Sequence, residues 1–343
     1  MGFITYFSPL TASSLCLYLI VMALILALDF GGTKLAAATV KAGSREWLRS
    51  DRRLSPENAD ALSDIEIMRS LITNVLDGDR PDAIGVSFGG PVDAATGMVR
   101  LSHHVKGWEN IPLKLLLEEE YNAPTSVDND ANVAAMGEHR FGAGQGYDSL
   151  FYITISTGVG GGWILNGRPW QGASGMAGEI GHTVVDPTGP ICLCGKRGCV
   201  ERLASGPYIA QNARDLLTVT PPNLPGGKTG DILRLLVNND LNLLTGQIVS
   251  AAANHGDEIA QKVLNQAAWA LGVGIGNVAN LMNPQRFVLG GGVTKAGETF
   301  WSVIRKVARE TALPEVNFEI VRALLGDDAP LWGAVALGLD ILP

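Results

Sequence analysis

The chain is poor in charge, in cysteine and in long apolar runs, and each shortage excludes something. Of 343 residues only 17% are Asp, Glu, Lys or Arg, the net charge is -8, and no extended run of Lys or Arg occurs. Nucleic acid is gripped by basic surface that displaces the counterions of its phosphates, so no nucleic-acid partner is expected and small-molecule chemistry is favoured. Cysteine occurs four times, and three of these residues cluster with a histidine. Such usage suits a reducing, cytoplasmic setting better than a disulfide framework. The apolar stretch Leu15–Leu28 (LCLYLIVMALILAL) is 14 residues long. It falls short of the ~20 that cross a bilayer, and no basic residue precedes it as in a secretory signal. No membrane partner is expected. Its second half, Leu24–Leu28, reads better as a buried strand feeding Asp29, with Met22 as a natural start and residues 1–21 an extension outside the fold.

The richest stretch is Gly178–Glu201 (GEIGHTVVDPTGPICLCGKRGCVE). His182, Cys192, Cys194 and Cys199 are the donor set of a tetrahedral zinc site, and four protein ligands leave no position open for water, so the metal would be structural. Gly195 and Gly198 let the chain fold back on one ion. The Cys-x-Cys spacing is tighter than usual, and three buried or redox-paired cysteines are the alternative. Glu179 lies one helical turn before His182, and Glu201 follows two residues after Cys199. A metal knuckle that also fixes two carboxylates reads as the wall of a site for a polar ligand.

With 46% hydrophobic residues, a chain of this length can build two cores, and its elements read as α/β. It opens with a strand, a glycine tip Asp29–Lys34 (DFGGTK) and a returning strand. Gly31 and Gly32 let backbone N–H groups approach a phosphate, Thr33 adds a hydroxyl, and Asp29 could hold a metal ion through water. A plain turn is the other reading of the two glycines. A helix is expected over Asp60–Leu76, a strand over Asp82–Ser87 ending in Gly89–Asp93, a short helix over Leu113–Tyr121, and a strand Thr125–Val127 running into Asp128–Glu138 (DNDANVAAMGE). Ligands sit at such strand ends in open α/β sheets. Asp130 falls at or beside a helix N-cap, where the dipole favours its charged form; capping explains less well why Asn129 precedes it and Asn132 follows it.

After the glycine-rich Phe141–Gly146 (FGAGQG), read as a flexible joint, the pattern repeats. A strand over Ser149–Ile155, a tip Ser156–Gly162 (STGVGGG) and a returning strand echo the opening hairpin, and the strand Arg286–Leu289 ends in Gly290–Gly292. The echo, of pattern rather than identity, reads as an internal duplication. Residues 22–141 would form one α/β domain and 142–329 a second carrying the knuckle, with both tips turned toward one phosphate chain in the cleft between them. An apolar helix over residues 330–341 would pack back on the first domain. Two further motifs are set aside. Gly226–Thr229 (GGKT) resembles a P-loop, but Pro222 stands where its first glycine belongs. Gly274, Gly276 and Ala279 match a dinucleotide fingerprint but follow a helical run, so close helix packing is expected. His139 and His255 read as structural.

Taken together, DFGGTK, DNDANVAAMGE, ISTGVGGG, GEIGH with CLCGKRGCVE, and VLGGGV resemble the ROK family of repressors and sugar kinases, from Met22 to the C-terminus. The resemblance implies a two-domain actin-like ATPase (ribonuclease H-like) fold with an interdomain cleft, and an ATP-dependent hexokinase. It implies Asp130 as the base that takes the proton from a sugar C6 hydroxyl as this attacks the γ-phosphate of ATP. Asn129, Glu179, His182 and Glu201 are implied as readers of sugar hydroxyls, and Gly90 as the place where the sugar approaches the backbone. The tips at Gly31–Lys34 and at Thr157 and Gly158 resemble phosphate loops, and Gly291 with Gly292 the adenosine side. Mg2+ would come with the nucleotide and zinc with the knuckle, and a homodimer is the usual state in the family.

Two departures bear on the sugar. His104 stands four residues before Trp108, where the family often has an asparagine that touches the sugar, and Gly89 stands where a proline is common. Glucose is favoured by family frequency, with mannose, fructose, N-acetylglucosamine and N-acetylmannosamine open. A sugar-sensing repressor would need a helix-turn-helix before Leu24, for which about twenty apolar residues leave no room. Against a catalytically silent sugar-binding protein stand Asp130 and DFGGTK. Because the knuckle would act through the sugar-reading wall, Cys194→Ser is expected to weaken sugar binding more than ATP binding.

Overall fold

Leu24–Phe30 is buried along its whole length, as the apolar run Leu24–Leu28 without alternation requires of a strand covered on both faces. In the computed structural model, which describes residues 23–56, 58–102, 105–220 and 229–342, the chain divides into two compact units. One holds the described residues up to Val133 together with those from Pro330 onward; the other is Ala134–Ala329. Residues 1–22, His103, His104 and the Gly226–Lys228 part of the P-loop-like sequence lie outside the described residues. Among those described, no helix is long and apolar enough to cross a membrane.

The first unit contains β1 (Leu24–Phe30), β2 (Lys34–Lys41), β3 (Arg49–Leu54), β4 (Ala83–Phe88), the short pair β5 (Val92–Asp93) and β6 (Met98–Val99), and β7 (Thr125–Asn129). Its five-stranded sheet runs β3-β2-β1-β4-β7. The β2 and β3 pairings are antiparallel, and β4 and β7 join in parallel. The helix Ala61–Leu76 packs on β2 and β3. It starts at Asp60, whose carboxylate accepts from both the backbone N–H and the hydroxyl of Ser63, satisfying an otherwise orphan donor. The helix Ala329–Asp340 lies on β1 and β4 through small residues. A Cβ on Gly85 would stand 1.8 Å from the carbonyl oxygen of Ala334, and one on Gly338 2.6 Å from Cγ2 of Ile25. Beneath the end of β1, Trp108 meets Phe30 and Phe88 edge-on at 5.5 and 4.8 Å.

In the second unit β8 (Leu150–Ile155), β9 (Val159–Leu165), β10 (Arg168–Trp170), β11 (Arg286–Gly290) and β12 (Glu319–Arg322) form a sheet of order β10-β9-β8-β11-β12. Again one side is antiparallel and the other parallel. The duplication therefore exists in connectivity, strand for strand. Behind the sheet, the helix Glu258–Met282 packs on the helix Glu298–Thr311. Cβ atoms on Gly272 and Gly276 would stand 2.6 and 2.5 Å from Cβ of Val307 and Thr311, and one on Gly274 3.1 Å from Cγ2 of Val200. These glycines serve helix packing on two faces, as their position in a helical run suggests. His139 and His255 each meet a backbone carbonyl, of Tyr147 and Ala251.

Phe141–Gly146 is hydrogen-bonded back to Glu138. The amides of Gly142 and Gly144 donate to the carbonyl of Glu138, and that of Ala143 to its carboxylate. The same fully buried carboxylate accepts from the amides of Leu324 and Leu325.

Candidate active site

Three parallel strands of the first unit end side by side, with Asp29 opposite Ser87 and Phe88 opposite Asn129. That register gathers Asp29, the Gly31–Lys34 tip, Gly89, Gly90, Asn129 and Asp130 at one edge of the sheet. The tip closes through the Gly31 amide, which donates to the Lys34 carbonyl at 3.0 Å. Gly89 seats against it: its amide donates to the Phe30 carbonyl at 2.8 Å, and a Cβ there would lie 3.4 Å from the Gly32 nitrogen. A Cβ on Gly90 would come within 2.6 Å of the Leu101 carbonyl oxygen.

Asp29 is buried, and loss of water pushes its carboxyl up from 3.8 to about 6, against the Ser87 hydroxyl that donates to it at 2.8 Å and the charges of Lys34 and Arg52. A buried oxygen donor beside a glycine tip fits Mg2+, a hard cation that keeps most of its own waters.

The polar cluster at the end of β7 resolves into a lock. Asn129 donates from its side-chain amide to the Gly90 carbonyl at 3.1 Å, and its Oδ1 accepts from the Ala131 amide at 3.0 Å. Asp128 accepts from the Asn129 amide and, at 3.2 Å, from the side chain of Asn132. Both asparagines that capping left unexplained thus have a task, which is to fix the backbone on either side of Asp130. Asp130 opens the helix Asp130–Phe141 and accepts from the Ala131 amide at 2.8 Å.

In the second unit the tip between β8 and β9 presents Thr157 and Gly158, and Gly291 crosses close over Ile155: its φ is 86° and a Cβ would stand 2.4 Å from the Ile155 carbonyl oxygen. Gly292 has open space around it. Gly178 and Gly181 explain how Glu179 and His182 are seated. A Cβ on Gly178 would stand 2.4 Å from the Gly161 carbonyl oxygen, and one on Gly181 2.0 Å from that of Val159. The segment therefore lies flat on β9, with Glu179 exposed at its surface. Glu201, in the first turn of the helix Val200–Ala204, accepts from the Val159 amide at 3.0 Å.

The donor atoms of His182, Cys192, Cys194 and Cys199 all lie within 4.8 Å of one another. Cys194 Sγ and Cys199 Sγ are 3.6 Å apart, and Cys192 Sγ is 4.0 Å from Nδ1 of His182. Ligands on one tetrahedral zinc, at ~2.3 Å for sulfur, would be about 3.8 Å apart. The set fits zinc in both chemistry and spacing. Burial pushes the Cys192 thiol up and that of Cys199 to about 12, while the Lys196 amide holds Cys194 below its ordinary value. A thiophilic cation would displace the protons that burial retains.

Two duplicated α/β units of this connectivity make up the actin-like ATPase fold. Residues 25–341 match the ROK family, and the chain belongs to it. A glucokinase of Halalkalibacterium halodurans is 41% identical over 260 residues, 74% of this chain and 76% of that protein. An N-acetylmannosamine kinase of Shigella flexneri is 34% identical over 320 residues, 91% of this chain and 97% of that protein. Among solved structures, a ROK family glucokinase from Streptomyces griseus in complex with glucose and AMPPNP is similar with a TM-score of 0.79 and 33% identity, covering 93% of this chain and 100% of that one.

Proposed function

We propose that the chain is an ATP-dependent sugar kinase that moves the γ-phosphoryl group of ATP to the C6 hydroxyl of a free hexose, with glucose the first candidate. The observation that carries this reading is the lock around Asp130, a carboxylate at a helix start whose flanking backbone is fixed by Asn129, Asp128 and Asn132. In the proposed reaction Asp130 accepts the proton of the C6 hydroxyl as its oxygen bonds to the γ-phosphorus and the bond to the ADP oxygen breaks. General-base help of this kind is worth on the order of 10²- to 10⁴-fold. The remainder is positioning and charge stabilisation by backbone N–H groups, which suffices for a loose phosphoryl-transfer transition state. Gly31–Lys34 with Thr157 and Gly158 would take the phosphates, Gly291 and Gly292 the adenosine. Mg2+ bound with the nucleotide supplies charge neutralisation on the phosphates, and Asp29 would hold it.

Asn129, Glu179, His182 and Glu201 would read the sugar hydroxyls, with Gly90 giving close approach. His182 can serve both sugar and zinc, because Nδ1 is the nitrogen on the Cys192 side and Nε2 remains for a hydroxyl. Zinc would be held by His182, Cys192, Cys194 and Cys199 and would be structural. An N-acetylhexosamine as acceptor is the second reading, favoured by the similarity to the Shigella flexneri N-acetylmannosamine kinase. Coupled ADP release over a panel of hexoses and N-acetylhexosamines, with Asp130→Ala as control, separates the two.

A further inference from the structure

The β8–β9 tip is held from outside at both ends by one short segment. At its far end the Val159 amide donates to Oε2 of Glu201 at 3.0 Å, and at its near end the Ser156 carbonyl accepts from the Gly206 amide at 2.8 Å. The carboxylate also rests on the tip itself: a Cβ on Gly158 would stand 2.8 Å from Glu201 Oε2. The backbone of this clamp is itself fixed. Cys199 precedes the helix Val200–Ala204, the Val200 amide donates to the Thr183 carbonyl at 3.1 Å, and Gly181 packs on the Val159 carbonyl.

We propose that Glu201 is a positioning residue for the nucleotide's phosphate tip as well as a reader of the sugar. The inference rests on the sugar-kinase reading and deepens it: one carboxylate oxygen fixes the peptide that begins β9, leaving the other for a hydroxyl. A hydrogen bond from a backbone N–H to a charged acceptor is strong enough that losing it loosens a short glycine tip. Backbone N–H groups aimed at phosphate are worth most when the protein has already fixed them, so a loosened tip lowers nucleotide affinity even without sugar.

The test is calorimetric titration of Mg2+ with a nonhydrolysable ATP analogue into the sugar-free full chain. Glu201→Ala should weaken binding about tenfold, the effect of one charge-assisted hydrogen bond. Glu201→Gln keeps an acceptor for the Val159 amide and should bind the analogue within about twofold of the parent. Glu179→Ala, which removes an exposed carboxylate and leaves the Glu201–Val159 bond in place, should raise the sugar KM and leave analogue affinity unchanged. Hydrogen exchange supplies the control for folding: the Val159 amide should lose protection in Glu201→Ala and keep it in Glu201→Gln, while the other amides of the β8–β9 ladder stay protected in both. Unchanged analogue affinity in Glu201→Ala overturns the proposal, as does equal weakening in the Ala and Gln variants. Failure of the kinase reading itself would be seen separately, as absence of sugar-dependent ADP release by the parent chain.

Discussion

Replacing Asp29 with Asn should make the ligand-free protein more stable above about pH 6 and leave it unchanged near pH 4. The cause is the burial that lifts this carboxyl from 3.8 to about 6. A raised acid holds its proton more tightly when folded than when unfolded. Its contribution to stability is therefore fully present below the unfolded value and is lost as pH climbs through the folded one. The full rise corresponds to ~3 kcal/mol at the alkaline end of the window. Asn has nearly the same shape and keeps an Oδ1 acceptor for the Ser87 hydroxyl, which lies 2.8 Å away, so removal of the charge is the main change. Urea unfolding read by tryptophan fluorescence is a suitable assay, since Trp108 packs edge-on at 5.5 Å against Phe30, the neighbour of Asp29. Parent and variant should diverge between about pH 4 and pH 8. Parallel curves over that range would refute a desolvated carboxylate at this place. With the proposed role of Asp29 in holding Mg2+, the variant should also lose kinase activity.

Elemental analysis should find about one zinc per chain, and Cys194→Ser should lower that content. From the sequence alone a loss mainly of sugar binding is expected, but the segment after Cys199 also clamps the β8–β9 tip, so the same variant should weaken nucleotide binding too; loss of sugar binding alone, measured by paired titrations, would contradict this. Glu138→Ala should destabilise the chain by about 3 kcal/mol in urea unfolding, since it removes a buried carboxylate that accepts from the amides of Ala143, Leu324 and Leu325. Glu138→Gln should recover part of that loss.

What sequence reading reaches follows from how each feature is encoded. β1 and β4 are legible because strands covered on both faces are mainly apolar, β1 up to Asp29 and β4 up to Ser87, and the glycine tips because only certain residues bend so sharply. Asp130 is legible because polar residues crowd one strand-to-helix junction. β3 (RSDRRL) escapes notice because it is an edge strand with mostly exposed side chains and no apolar signature, and β12 because its apolar part is only Ile320 and Val321, too short a run to mark a strand. Phe141–Gly146 has the composition of a flexible joint, yet Glu138 ties it to residues 186 and 187 positions away from itself, which no local pattern records. The bond from Glu201 to the tip, between residues 42 apart, is hidden for the same reason. So is the raised carboxyl of Asp29, which depends on what covers it and not on its neighbours in sequence.

Sugar-dependent ADP release by the full chain, measured over glucose, mannose, fructose, N-acetylglucosamine and N-acetylmannosamine, bears most directly on the proposed reaction. The parent should release ADP with at least one of these sugars, glucose first, and Asp130→Ala should lower that turnover on the order of 10²- to 10⁴-fold. No sugar-dependent release with any of them, or full turnover by Asp130→Ala, would contradict it.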